Sequence, residues 1–169
     1  MSRSREPISR RSDGRYDVRV DPGVRAVLAA VATQVAGMLE HDRASTVRVF
    51  PPAYVGDDAE AAANERSYRE LVDTALRAHH HEVLELVVTT AEHDTLSAEE
   101  LGAWLSAVET MRLTLGTRLD VSEEMRTPHP SDPTAPEFAV YELLGAVQTA
   151  IVDALAAELP DDGRPEGAL

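Results

Sequence analysis

With 169 residues, 43% hydrophobic side chains and only 4% aromatics, the chain is long enough for one domain with an aliphatic core. It has no cysteine, and all 16 basic residues are arginine, which excludes disulfides, thiolate catalysis, cysteine-ligated zinc, Schiff-base lysines and a phosphate-loop lysine. The formal net charge of −14 works against contact of the whole domain with nucleic acid.

That charge is uneven. Residues 1–20 hold six arginines (Arg3, Arg5, Arg10, Arg11, Arg15, Arg19) against three acids, and the rest holds ten against 27. A short basic arm therefore precedes a strongly acidic body. Residues 1–12 are polar and unpatterned and are expected to form a flexible arm. They lack the apolar core of a secretory leader, and no uninterrupted apolar run approaches the ~18 residues of a membrane span. A cytoplasmic protein without a membrane segment is expected.

Asp13-Gly14 is a hairpin dipeptide, and Tyr16, Val18 and Val20 alternate behind it, so a small β-hairpin against the core is expected. Asp21-Pro22 reads as an N-cap followed by a first helical turn. Val24, Val27, Leu28, Val31, Val35, Met38 and Leu39 then recur at steps of three and four, the stripe of a helix ending near Asp42. Pro51, Pro52 and Gly56 interrupt regular structure over 43–58, where Val47, Val49, Phe50 and Tyr54 are expected to pin a loop to the core. Helix resumes near Asp58 and runs to about Ala91, with His79-His80-His81 as the place where it could divide. Its apolar face is Tyr68, Leu71, Val72, Leu76, Val83, Leu86 and Val87.

The strongest pattern follows. Ser97 and Glu100 have capping-box spacing, and Leu101, Trp104, Leu105, Val108, Met111, Leu115 and Leu119 lie on one helical face. Residues 120–136 carry four prolines and read as irregular. Thr134 and Glu137 form a second possible capping box, before a last helix with Phe138, Tyr141, Leu144, Val147, Ile151, Val152 and Leu155 inward. Residues 160–169 have no reason to order. No repeat or internal boundary shows. No helix buries its stripe alone, so the expected fold is all-α: a single-domain bundle of four to five helices over 13–159, with room for the N-terminal hairpin.

Candidate chemistry is sparse. Consecutive helical residues point about 100° apart, so three adjacent histidines cannot converge on one ion. His81 with Glu85 is one weak metal pair. No Glu-x-x-His, Gly-x-Ser-x-Gly or glycine-rich phosphate cradle occurs, so neither a catalytic residue nor a cofactor is expected. Phe50-Pro51-Pro52-Ala53-Tyr54 has the form of a proline-tyrosine ligand for aromatic-lined grooves, but is read first as a rigid loop expected to dock Phe50 and Tyr54 on the core. Trp104 and Tyr141 are aromatic anchors of the two best-patterned helices. Arg112 sits beside the apolar stripe, where a half-buried guanidinium needs a carboxylate or several carbonyls; Glu70 and Glu142 are candidate partners, and Arg112 and Arg118 are read first as structural clamps, with contact to a ligand carboxylate or a partner as the alternative. The N-terminal arginines could touch phosphates, but they are read first as a solubilising arm.

Three blocks in order carry a resemblance: VRVFPPAYVGDD at 47–58, AWLSAVETMRLTLGTRLDVSEEM at 103–125 and EFAVYELLGAVQTAIVDAL at 137–155. Together they resemble the actinobacterial family of oxidative stress regulator AosR, formerly labelled a domain of unknown function and encoded near the ClpS adaptor. The resemblance implies a small helical regulator that senses oxidation through a cysteine pair and binds a stress sigma factor. This chain departs from the pattern in having no cysteine, so a disulfide switch cannot operate. It also has Glu109-Thr110-Met111 where relatives often read Asn-Asp-Leu. The expected function is a non-enzymatic regulatory protein acting by contact with a sigma factor or another transcription component. Loop 50–58 and the loop after Val121 would flank that contact, and a homodimer would form if a helical stripe stayed exposed. The alternatives are a metal-binding or carboxylate-based bundle enzyme using His81 and Glu85, and nucleic-acid binding through the arginine-rich arm.

Overall fold

The computed structural model describes residues 6–41, 63, 74–121 and 127–157. Four helices are described, α1 (Pro22–His41), α2 (Thr74–Thr90), α3 (Ala98–Arg118) and α4 (Ala135–Ala156), with a small antiparallel sheet of β1 (Ile8–Arg10), β2 (Tyr16–Val18) and β3 (Thr95–Leu96). The fold is thus a helical one with a small N-terminal sheet. The loop at Phe50, Pro51, Pro52 and Tyr54, the start of the second helix with Tyr68, Glu70, Leu71 and Val72, and the tail from 160 lie outside the described residues.

The hairpin follows from its turn. Gly14 has φ +81°, a left-handed conformation that costs glycine little. Asp13 Oδ1 accepts the Arg15 N–H at 3.1 Å, and the Arg11 N–H donates to the Arg15 carbonyl at 2.8 Å. The bond from the Arg15 amide, followed by the charge of Arg11, holds the Asp13 carboxyl below its ordinary range. β1 and β2 pair with Ile8 opposite Val18 and Arg10 opposite Tyr16, and alternation buries Ile8, Tyr16 and Val18 while Ser9 and Asp17 stay more open. The basic arm expected to be flexible over 1–12 therefore contains a strand: Ile8 is 2% exposed, and the packed fold starts before residue 13. β3, within and beside the expected turn at 92–95, pairs with the other edge of β2 through Tyr16 and Leu96. Two residues are too short a run to carry a period, which is why the sequence did not betray it.

Asp21 caps α1, its Oδ1 accepting the Gly23 N–H at 2.7 Å. α2 runs unbroken through His79-His80-His81, so the helix does not divide there. On α3 the capping box forms in both directions: the Glu100 N–H donates to Ser97 Oγ at 3.1 Å and the Ser97 N–H to Glu100 Oε2 at 2.7 Å. The second capping box does not form. Thr134 makes no side-chain cap; its hydroxyl and amide both donate to Asp132 Oδ1, at 2.7 and 2.9 Å, while Glu137 turns to Arg118. Asp132 thereby becomes the turn-former ahead of α4, and the two bonds from Thr134 depress its carboxyl pKa.

The helices meet mainly in chain order, α1 on α2, α2 on α3 and α3 on α4, and β1 packs against α4. Leu28, Val35, Leu84, Val87, Leu101, Trp104, Met111, Leu144 and Ile151 fill the shared core. By length and composition alone α1 and α4 are apolar enough to cross a membrane, as core helices of this length can be, and both lay their stripes on the other helices of this core. Among the described residues one charge is buried with them. Arg25, 8% exposed, donates from Nε to the Val20 carbonyl at 3.0 Å, from Nη1 to the carbonyls of Ala91 and His93 at 3.3 and 2.7 Å, and from Nη2 to the Val18 carbonyl. It ties the start of α1 to the end of β2 and to the chain leaving α2, where a cation also suits the helix dipole.

Candidate functional sites on the two sides of helix α3

The three histidines separate as helical geometry requires. His81 Nε2 reaches Glu40 Oε1 of α1 at 3.2 Å. His80 turns inward, its Nδ1 2.7 Å from Thr110 Oγ1 of α3. Thr110 Oγ1 gives its own proton to the Ser106 carbonyl at 2.8 Å, so it accepts from His80, and the ring carries its proton on Nδ1. Burial, then the nearby charges of His79 and Arg77, holds the His80 pKa below its ordinary range. His79 faces a groove. No group of three or more potential metal ligands occurs among the described residues.

That groove, about 720 Å³, lies between α2 and the first turns of α3. Val83, Leu86 and Ala103 line its apolar part, and Glu82, Glu99 and Glu100 supply carboxylates, with His79 and Arg15 the basic groups beside them. Glu82 and Glu99 are exposed and free to face a ligand, whereas Glu100 is half-buried and committed to the cap. Trp104 lies beneath in the α2–α3 seam, fully buried, and donates its indole N–H to Thr90 Oγ1 at 2.8 Å. It is a core anchor and offers no surface.

The other side of α3 holds Arg112. It is half-buried as its place beside the stripe predicts; of its two candidate partners, Glu142 is exposed and forms no ion pair with it, and Glu70 lies outside the described residues. Arg112 donates instead to two neutral groups on α4, to Gln148 Oε1 from Nη1 and to the Tyr141 hydroxyl from Nη2 at 3.2 Å. Tyr141 and Gln148 are two turns apart on one face of α4, so a single guanidinium spans both. Its Cζ also lies 4.9 Å from the centre of the Tyr141 ring. Gly116 helps this closeness, since a Cβ there would stand 3.3 Å from Tyr141 Cε2, whereas one on Gly145 would make an ordinary contact with Arg112 Cζ at 3.7 Å.

Arg118 behaves differently, forming an exposed bridge to Glu137 at 3.0 Å that joins the end of α3 to the first turn of α4. The hairpin arginines are likewise engaged. Arg11 pairs with Asp13 and Asp17, Arg19 with Asp17, and Arg15 approaches Glu100 at 3.9 Å while donating to the Thr95 carbonyl. The bond to Asp17 and the charge of Asp13 raise the Arg11 pKa further. A phosphate would have to displace these carboxylates, which weakens the nucleic-acid reading for this part of the arm. Among the described residues the large exposed apolar side chains are Val88, Leu113 and Val152, one on each of three helices.

No curated protein and no solved structure matches this chain. A family profile described as a domain of unknown function, DUF2017, matches residues 4–155 and so takes in the hairpin, all four helices and both sides of α3. The chain therefore belongs to the DUF2017 family.

Proposed function

We propose that this protein is a non-enzymatic regulator of the AosR kind, working in the cytoplasm by contact with a sigma factor or another component of the transcription machinery. The three sequence blocks at 47–58, 103–125 and 137–155 support that reading. The observation that carries it is the groove between α2 and α3, with apolar Val83 and Leu86 beside exposed Glu82 and Glu99. It sits on a body that holds ten arginines against 27 acids after residue 20. An apolar groove with acidic edges suits an amphipathic helix with basic flanks, its apolar side chains in the groove and its cations on the rim. Without cysteine, such a contact is not gated by a disulfide.

The test is direct binding of the purified chain to RNA polymerase core, holoenzyme and isolated sigma factors. Association is expected at low salt, weakening strongly between roughly 0.1 and 0.5 M salt as exposed charges are screened. Glu82→Arg/Glu99→Arg, which changes two exposed side chains, should abolish it with the fold intact by circular dichroism. No binding to any of these components at low salt would end this reading.

A further inference from the structure

Arg112 is a charge with neutral company. Its Nη atoms donate to the Gln148 amide oxygen and the Tyr141 hydroxyl, its Nε is buried without a partner, and no carboxylate among the described residues forms an ion pair with it. A guanidinium drawn partly out of water is costly unless an opposite charge or a full set of acceptors replaces the water. Beside it lies a pocket of about 270 Å³, lined also by Tyr141, Gln148, Gly116, Leu113 and Glu109. This acid, Glu109, is exposed and forms no bridge to Arg112.

We propose that this pocket is a binding site for a carboxylate, held by the free Nη protons of Arg112 with help from Tyr141 and Gln148. Each Nη atom carries two protons and spends one on α4, leaving one each for a ligand. Tyr141 accepts from Arg112 and so retains its own O–H to donate. Gln148 accepts through Oε1, which leaves its NH₂ as a further donor. The pocket thus brings together donors of three kinds with one cationic charge.

The chemistry selects among anions. Arg112 Cζ lies over the Tyr141 ring, and the two Nη protons not spent on α4 can be accepted by the two oxygens of a planar carboxylate in a paired contact. The volume lies below the ~300–1,000 Å³ usual for whole drug-sized ligands, so it suits one carboxylate group and little more. A body of net charge −14 repels a phosphate dianion more than a monoanion. Leu113, 43% exposed at the margin, offers an apolar contact to whatever carries the carboxylate. The carrier is either a free small carboxylate or an acidic side chain of a polypeptide.

The buried Nε–H of Arg112 is shielded from solvent, which makes its side-chain NMR signal a direct reporter. Sodium acetate should shift it saturably, with a Kd in the roughly millimolar range open to so small an ion. Sodium chloride at equal ionic strength should not. Gln148→Glu supplies an internal carboxylate; it should weaken acetate about tenfold or more and raise the melting temperature. Tyr141→Phe, which keeps the ring, should weaken acetate several-fold. An N-acetyl-leucyl-glutamate amide that binds about tenfold tighter than acetate assigns the carboxylate to a polypeptide, and equal affinities assign it to a small molecule; both outcomes support the site. A chloride response equal to acetate, or no saturable response, overturns the proposal. So does phosphate binding more tightly than acetate, or a Gln148→Glu chain that is no more stable and binds acetate unchanged.

Discussion

Arg25 donates to four backbone carbonyls in two separate stretches of the chain, those of Val18 and Val20 and those of Ala91 and His93, whereas Arg112 donates to one amide and one phenol. The same guanidinium is saturated in one place and left with protons to spare in the other. Replacing Arg25 with glutamine should therefore be costly, since most of its carbonyls would be stranded without water. A loss on the order of 3 kcal/mol is expected, read as a lower urea midpoint at unchanged slope. A change within about 0.5 kcal/mol, ordinary for surface sites, would show that solvent reaches these carbonyls after all. Neither arginine's environment was fully legible in the sequence. Arg112 announces itself by its place beside Met111 on a patterned helix, but charge logic points to carboxylates, and its partners among the described residues are neutral. Arg25 gives no sign, because backbone acceptors leave no trace in side-chain spacing.

The α2–α3 seam is organised by threonines that bond back to their own helices and offer a lone pair across. Thr90 Oγ1 donates to the Leu86 carbonyl and accepts from Trp104; Thr110 Oγ1 donates to the Ser106 carbonyl and accepts from His80. Because burial lowers the His80 pKa, the unfolded chain takes up this proton more readily than the folded one. The resulting stability is present above the ordinary pKa near 6.5 and is lost as pH falls below it toward the lowered folded value. The melting temperature should thus drop between about pH 7.5 and 5.5, and His80→Gln, which can still donate to Thr110, should flatten the slope. Equal slopes in the two chains would remove His80 from the account. The helices themselves were legible, since stripes at steps of three and four fixed α1, α3 and α4 closely. The strands were less so: three residues of β1 lie in a polar stretch where only Ile8 is apolar, and β3 is two residues long.

Across the whole molecule, neighbouring helices pair in sequence order while the hairpin reaches across, with β2 bound to β3 and β1 lying on α4. The N-terminal strand therefore closes the structure instead of trailing from it. Deleting residues 1–12 should lower the melting temperature by roughly 5 °C, as expected for exposing one buried isoleucine and a strand edge. The Arg19 amide, which donates to the Pro7 carbonyl at 2.7 Å, should then exchange with solvent much faster. An unchanged melting temperature would return these residues to the role of a loose arm. A last consequence concerns Trp104, the chain's single tryptophan, sealed between α2 and α3 with its indole proton on Thr90. Fluorescence excited at long wavelength belongs to that one residue, so a red shift in emission reports water entering this junction and nowhere else. The molecule carries its own optical gauge of whether its two central helices remain joined.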